Sequence, residues 1–161
     1  AGSAKKNQRQ HPNPQRPGVD CTGPMMFVQL GHRYLTDVLE LRFGENMDAS
    51  AAASTLHALV AAVPDLGIRR DDVDGTLDWY ATGRPSFILY DAVPGGAGHA
   101  LAISRRLPEL IAAAHSKMAA CECGEETSCY GCLRSYSNQR DHDILVRGAA
   151  ERTLRPWSTS E

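Results

Sequence analysis

Aromatic residues are scarce in this sequence, at three Phe, five Tyr and two Trp in 161 residues, while alanine is abundant. No apolar run reads as long enough to span a bilayer, because residues 49–63 are interrupted by Ser54, Thr55 and His57. The first residues are polar and proline-rich and carry no apolar signal core. These absences set the expectation of a soluble, cytoplasmic protein with no membrane partner. A Walker A loop is absent as well, since no Lys-Ser/Thr follows the one glycine-rich loop, and the G-x-G-x-x-G spacing is missing. No DEAD-like Walker B segment occurs either, which excludes a nucleotide-driven motor within this sequence. Net charge is −2, which excludes a strongly basic grip on nucleic acid.

The charge is uneven all the same. Lys5, Lys6, Arg9 and Arg16 precede the first acid, Asp20, and Arg134, Arg140, Arg147, Arg152 and Arg155 follow the cysteine cluster. A solvated surface accounts for them, and so does weak phosphate contact in support of a larger partner. Residues 1–20, rich in Pro, Gln, Asn, Lys and Arg, read as a linker or cloning scar, and residues 21–161 as one domain.

Four of the five cysteines fall within twelve residues, as Cys121-x-Cys123-x5-Cys129-x2-Cys132. Tight clustering and an odd count fit metal ligation in a reducing compartment better than a secreted disulfide framework. Four thiolates fill the tetrahedral shell of Zn2+ and leave no position for water, so the expected ion is structural. Gly124, Thr127, Ser128 and Gly131 let the backbone turn toward the metal and donate N–H groups to sulfur. An iron–sulfur cluster competes with zinc, and two disulfides stand further behind. Cys21 reads as a separate thiol, and His142 as a hydrogen-bonded histidine.

Hydrophobic periodicity predicts a strand over residues 25–30 and another over 34–43, with Leu39, Leu41 and Phe43 on one face and Glu40 and Arg42 on the other. Asp48 suits the N-cap of a helix over 49–63, with Leu56, Leu59, Val60 and Val63 as its apolar stripe and Pro64 as its stop. Residues 68–74 are ambiguous. Residues 75–80 alternate as a strand, and the continuous run at 86–91 predicts a central strand buried on both faces. A helical pattern covers 99–120, broken or restarted at Pro108, with Leu107, Leu110, Ile111, Ala114 and Met118 inward. Residues 134–154 read mostly as helix, with room for a break near Asp141, and weakened by Gly148. The expected class is α/β, a mixed sheet flanked by helices, with a C-terminal four-cysteine zinc knuckle leading into a helix.

Between the strand and helix lies Gly95-Gly96-Ala97-Gly98. Such a loop can present backbone N–H groups to an anion, or it is simply a tight turn. Asp91 and His99 flank it and are candidates for an acid–base pair.

Several segments together resemble one family: Leu30-Gly31-His32, Thr36-Asp37-Val38-Leu39, Leu89-Tyr90-Asp91 with Pro94-Gly95-Gly96-Ala97-Gly98, and Cys121 through Gln139 with His142 and Leu145. This combination is similar to the MrfA-type zinc-binding domain, MZB. The resemblance implies a C-terminal domain of ATP-dependent superfamily 2 DNA helicases acting in DNA repair, or a component of DISARM-type phage defence. It implies that Cys121, Cys123, Cys129 and Cys132 bind the metal, and that helicase motor domains, in the same parent chain or complex, are the partners, with DNA beside them. On that reading the chain is not an enzyme by itself. It braces the motor or guides a strand, with Arg134, Tyr136, Asn138, Gln139 and Arg140 as candidate nucleic-acid contacts. Two alternatives stand beside it: a phosphodiester-acting enzyme using Asp91 and His99, and an interaction scaffold of a defence complex.

Overall fold

The structure is a computed structural model and describes residues 12–13, 15–21, 31, 33–79 and 84–158. It divides into two compact units, residues 1–33 and Tyr34–Glu161. In the first, Pro12 bridges Asp20 antiparallel across a turn, and Cys21 is a half-buried free thiol. The strand expected over 25–30 lies outside the described residues.

Among its described residues the second unit has three strands, β1 (Val38–Arg42), β2 (Val73–Trp79) and β3 (Pro85–Asp91). Its four helices are α1 (Ala49–Ala62), α2 (His99–Arg105), α3 (Leu107–Ala120) and α4 (Arg147–Ser158). The sheet order is β1-β3-β2, and both pairings are antiparallel. Leu41 and Leu77 flank Phe87, and Leu39 and Gly75 flank Leu89, so one face carries an apolar grid. Continuous apolarity in β3 arises from its central place, as expected, but its two faces differ. Phe87, Leu89 and Asp91 are buried, whereas Ile88 and Tyr90 are half-buried. Antiparallel hairpin-like packing needs only one covered face.

α1 begins where Asp48 Oδ1 accepts from the Ala51 amide at 2.7 Å. Leu56, Leu59, Val60 and Val63 are buried as their spacing required, but so are Ala52, Ser54, Thr55 and Ala58 around the helix. The reason is position: α1 is a middle layer, with the sheet on one side and α3 and α4 on the other. Its alanines allow both neighbours to approach closely. Residues Ala49–Leu66 are in fact long and apolar enough by composition to cross a membrane, and here they are mostly buried inside the fold. Pro64 does not end the helical path at once. It enters a 3-10 turn, Val63–Leu66, that Gly67 closes with a left-handed residue.

The ambiguous 68–74 stretch resolves into a 3-10 turn, Arg70–Asp72, followed by β2. Pro108 lies in the first turn of α3, where its missing N–H costs nothing, and Leu110, Ile111, Ala114 and Met118 are buried. The helix expected over 134–154 is largely absent before Arg147. Only a 3-10 turn, Gln139–Asp141, precedes α4. Side chains there satisfy the backbone instead of a helical ladder: Asn138 Nδ2 donates to Leu133 O, and the Ser135 amide donates to Asn138 Oδ1.

Thr55 Oγ1 is buried and has no hydrogen-bond partner among the described residues. Thr55→Val removes this unsatisfied oxygen at almost constant shape and should raise unfolding free energy by about 1 kcal/mol, read from a urea titration.

Candidate metal centre

α3 ends at Met118–Ala120 and delivers Cys121 as its C-terminal cap residue. The chain then turns through residues 122–128 and returns with Cys129 and Cys132. The Cys129 carbonyl accepts from the amides of Cys132, Leu133 and Arg134 at 3.2, 3.1 and 2.9 Å, so residues 129–134 form one compact turn. The result is convergence. Cys121 and Cys129 Sγ are 3.6 Å apart, while Cys123–Cys132 and Cys129–Cys132 are each 3.8 Å apart. All four ligand atoms lie within 4.8 Å of one another.

A regular tetrahedron with Zn–S near about 2.3 Å has sulfur edges of about 3.8 Å, so the donor set fits one zinc ion. A disulfide would need about 2.05 Å, which excludes any disulfide among the four in this geometry. A polynuclear iron–sulfur cluster places several atoms between its thiolates and needs them wider apart. His142 is not in the group. His142 Nε2 instead hydrogen-bonds Ser135 O and Asn138 Oδ1, each at 3.0 Å. The Cys129 amide donates to Cys132 Sγ at 3.3 Å, one of the N–H···S contacts expected around a thiolate site.

Burial pushes the Cys132 thiol up to about 12. Burial also acts to raise Cys129, but hydrogen bonds from the Cys121 thiol and the Gly131 amide outweigh it and bring that thiol down to about 7. A divalent cation holds coordinating thiols deprotonated outright, so it reverses the upward push on Cys132.

A buried arginine helps to lock the knuckle to the rest of the fold. Arg147 is buried; its Nε donates to Gly124 O at 3.1 Å and its Nη1 to Met118 O at 2.7 Å. The first free amides of α4 do the same work, Arg147 N to Thr127 O at 2.8 Å and Gly148 N to Glu125 O at 2.9 Å. Gly148 lowers helix propensity, yet a Cβ there would meet Glu125 O at 2.9 Å. Close approach therefore selects glycine, a reason that propensity alone does not reveal.

The other sequence candidates divide. Arg134 is half-buried and donates to Ser128 Oγ at 3.0 Å and His142 O at 3.4 Å. Asn138 is buried in the contacts described above. Tyr136, Gln139 and Arg140 are exposed, Tyr136 at 86%. Tyr130, which sequence reading passed over, is also exposed and meets the His142 ring edge-on at 5.6 Å. Buried His57 was missed too; its Nε2 lies 2.9 Å from Asp141 Oδ2. No periodicity rule finds a histidine on the inner side of an alanine-rich helix.

Asp91 and His99 do not form a side-chain pair. Asp91 is fully buried, and its oxygens accept from the amides of Ala97, His99 (3.1 Å) and Ala100 (2.7 Å). The His99 ring lies 3.8 Å from Asp72 instead. Gly95, Gly96 and Gly98 take positive φ so that the loop can wrap this carboxylate. The anion that the glycine loop holds is therefore the chain's own. Thr36 Oγ1 donates to Asp91 O at 2.7 Å, and the Gly95 amide to Leu35 O at 2.8 Å. These bonds join the 35–37 segment to the glycine loop.

The family described as MZB, the MrfA Zn-binding domain, matches residues 55–133. Druantia protein DruE of Escherichia coli (strain UMEA 4076-1) is 28% identical over 157 residues, covering 84% of this chain and 8% of DruE. A crystal structure of the DUF1998 helicase MrfA bound to DNA superposes with a TM-score of 0.51 at 25% identity, over 71% of this chain and 15% of that one. The chain thus spans a small fraction of either relative.

Two outcomes follow from the geometry. Burial opposes ionisation of Asp91, but its three amide donors outweigh it and hold its pKa below the usual value. Its stabilisation is present above the unfolded carboxylate pKa and is lost as pH falls through the folded pKa. Asp91→Asn should therefore cost about 2 kcal/mol near neutral pH, and the gap from wild type should close in acid, measured by urea titrations across pH. Arg147→Ala leaves Gly124 O and Met118 O without this donor. It should cost about 2–3 kcal/mol and speed zinc loss to a chromogenic chelator, whereas Arg152→Ala, at an exposed 3.9 Å contact, should leave the rate unchanged.

Over residues 55–133, then, this chain resembles the MrfA Zn-binding domain, a zinc-binding family whose metal suits the four-sulfur cluster found here.

Proposed function

We propose that this chain is the zinc-stabilised accessory module of an ATP-dependent superfamily 2 DNA helicase, in DNA repair or phage defence. Cys121, Cys123, Cys129 and Cys132 hold one structural zinc, and the fold braced by it presents a turn to a passing DNA strand. The observation that carries this reading is the four-sulfur cluster inside a match to a helicase-associated zinc domain. The motor would lie elsewhere in the parent chain or complex.

Charge narrows where a strand would run. Glu122, Glu125 and Glu126 are exposed on the cysteine loop and repel phosphates. Tyr136, Gln139 and Arg140 are exposed on the following turn and offer stacking, amide and cationic groups. Arg134 and Asn138 shape that turn from within. Hydrolysis of phosphodiesters at Asp91 has no support, because its carboxylate is fully engaged by backbone amides.

The zinc-loaded chain should retard single-stranded DNA at low salt, and Tyr136→Ala with Arg140→Ala should weaken binding about tenfold. Absence of any retardation would restrict the module to bracing its motor. Zinc content by elemental analysis should be one ion per chain, and Cys132→Ser should lower it.

A further inference from the structure

A second site lies away from the sulfurs. α1, β2 and the 139–144 turn enclose a cleft of about 300 Å³, at the small end of ligand sites. Its walls include Leu56, Leu77, Trp79 and Ile144, with the His57–Asp141 pair among them. The last two apolar walls are open to solvent, Trp79 at 44% and Ile144 at 43%.

The chemistry of this cleft is mixed in a particular way. Trp79, at the end of an edge strand, brings a half-exposed indole to the cleft wall. His57 is buried at 9% exposure, and its Nε2–H donates to Asp141 Oδ2, because an ionised carboxylate only accepts. Asp141 remains 42% exposed at its side chain, so the pair still has acceptor capacity toward an incoming N–H. A purely apolar partner would leave that carboxylate desolvated and unmatched, at a cost. A planar ring with N–H groups on its edge satisfies both walls. The same 3-10 turn, Gln139–Asp141, carries exposed Arg140, a cation one residue from the cleft-lining carboxylate.

We propose that this cleft takes one unpaired nucleobase of a DNA strand, stacked on Trp79 with its edge on Asp141, while Arg140 meets the adjoining phosphate. This rests on the strand-contacting reading above and gives that reading a base-binding pocket. His57 is a positioning residue that fixes the Asp141 carboxylate.

The test uses the whole zinc-loaded chain with Trp157→Phe, which leaves Trp79 as the sole indole. Titration with a single-stranded oligonucleotide should quench Trp79 emission, and an abasic strand of equal length should not. Trp79→Ala should weaken binding of the base-bearing strand about tenfold, Trp79→Phe should restore most of it, and affinity for the abasic strand should not move. Equal quenching by both strands, or unchanged affinity in Trp79→Ala, overturns the pocket while strand binding itself survives. Quenching by a Phe/Leu-rich peptide but not by DNA marks a protein-docking groove and also overturns it. No DNA binding of any kind brings down both the pocket and the strand-contacting reading.

Discussion

Four thiolates held within 4.8 Å repel one another, and the arrangement becomes favourable when one cation supplies the opposing charge. Much of the last third of the fold leans on that contact. The turn between Cys123 and Cys129 exposes the carbonyls of Gly124, Glu125 and Thr127, and these receive Arg147 and the first amides of α4. Once docked, α4 packs on α1 and α3. Glu151 then joins His115 at 3.0 Å and Arg155 at 2.7 Å. The metal thus acts at a distance, through a loop whose backbone has no strand or helix of its own.

A second set of polar ties runs from α1 to the irregular stretch before α4. Ser50 Oγ donates to Ile144 O at 2.7 Å, the Val146 amide donates to Ser54 Oγ at 2.8 Å, and His57 meets Asp141. These three residues sit at successive turns of a helix buried nearly all round. They do for residues 141–146 what a sheet ladder does elsewhere, which explains how a non-helical segment can lie close to the core.

Much of this was legible in residue order. The 3.6-residue spacing found α1 and α3, the Asp48 cap was read in place, and the alternation at Leu39 and Leu41 gave the core-facing side of β1, with Phe43 just beyond it. Cysteine spacing found the metal cluster because ligation depends on local chain turns. The 134–146 stretch was misread as helix because its order comes from Asn138, His142 and contacts with α1 some ninety residues away. Asp91 stood as a candidate acid beside a loop that could equally be a tight turn, and nothing in sequence tells that the Ala97, His99 and Ala100 amides close on it. Gly148 likewise counted against a helix until Glu125 appeared beside it.

Phe43, just after the first strand, meets Trp157 near the end of the last helix, with ring centroids 6.0 Å apart. Phe43 also packs edge-on against Phe87 at 5.0 Å, so the end of α4 is pinned to the sheet side of the fold while its start is held by the knuckle. Fraying of the last turn of α4 would therefore open a path for water to a ring that is otherwise only 8% exposed, and the helix is held against unwinding at both ends.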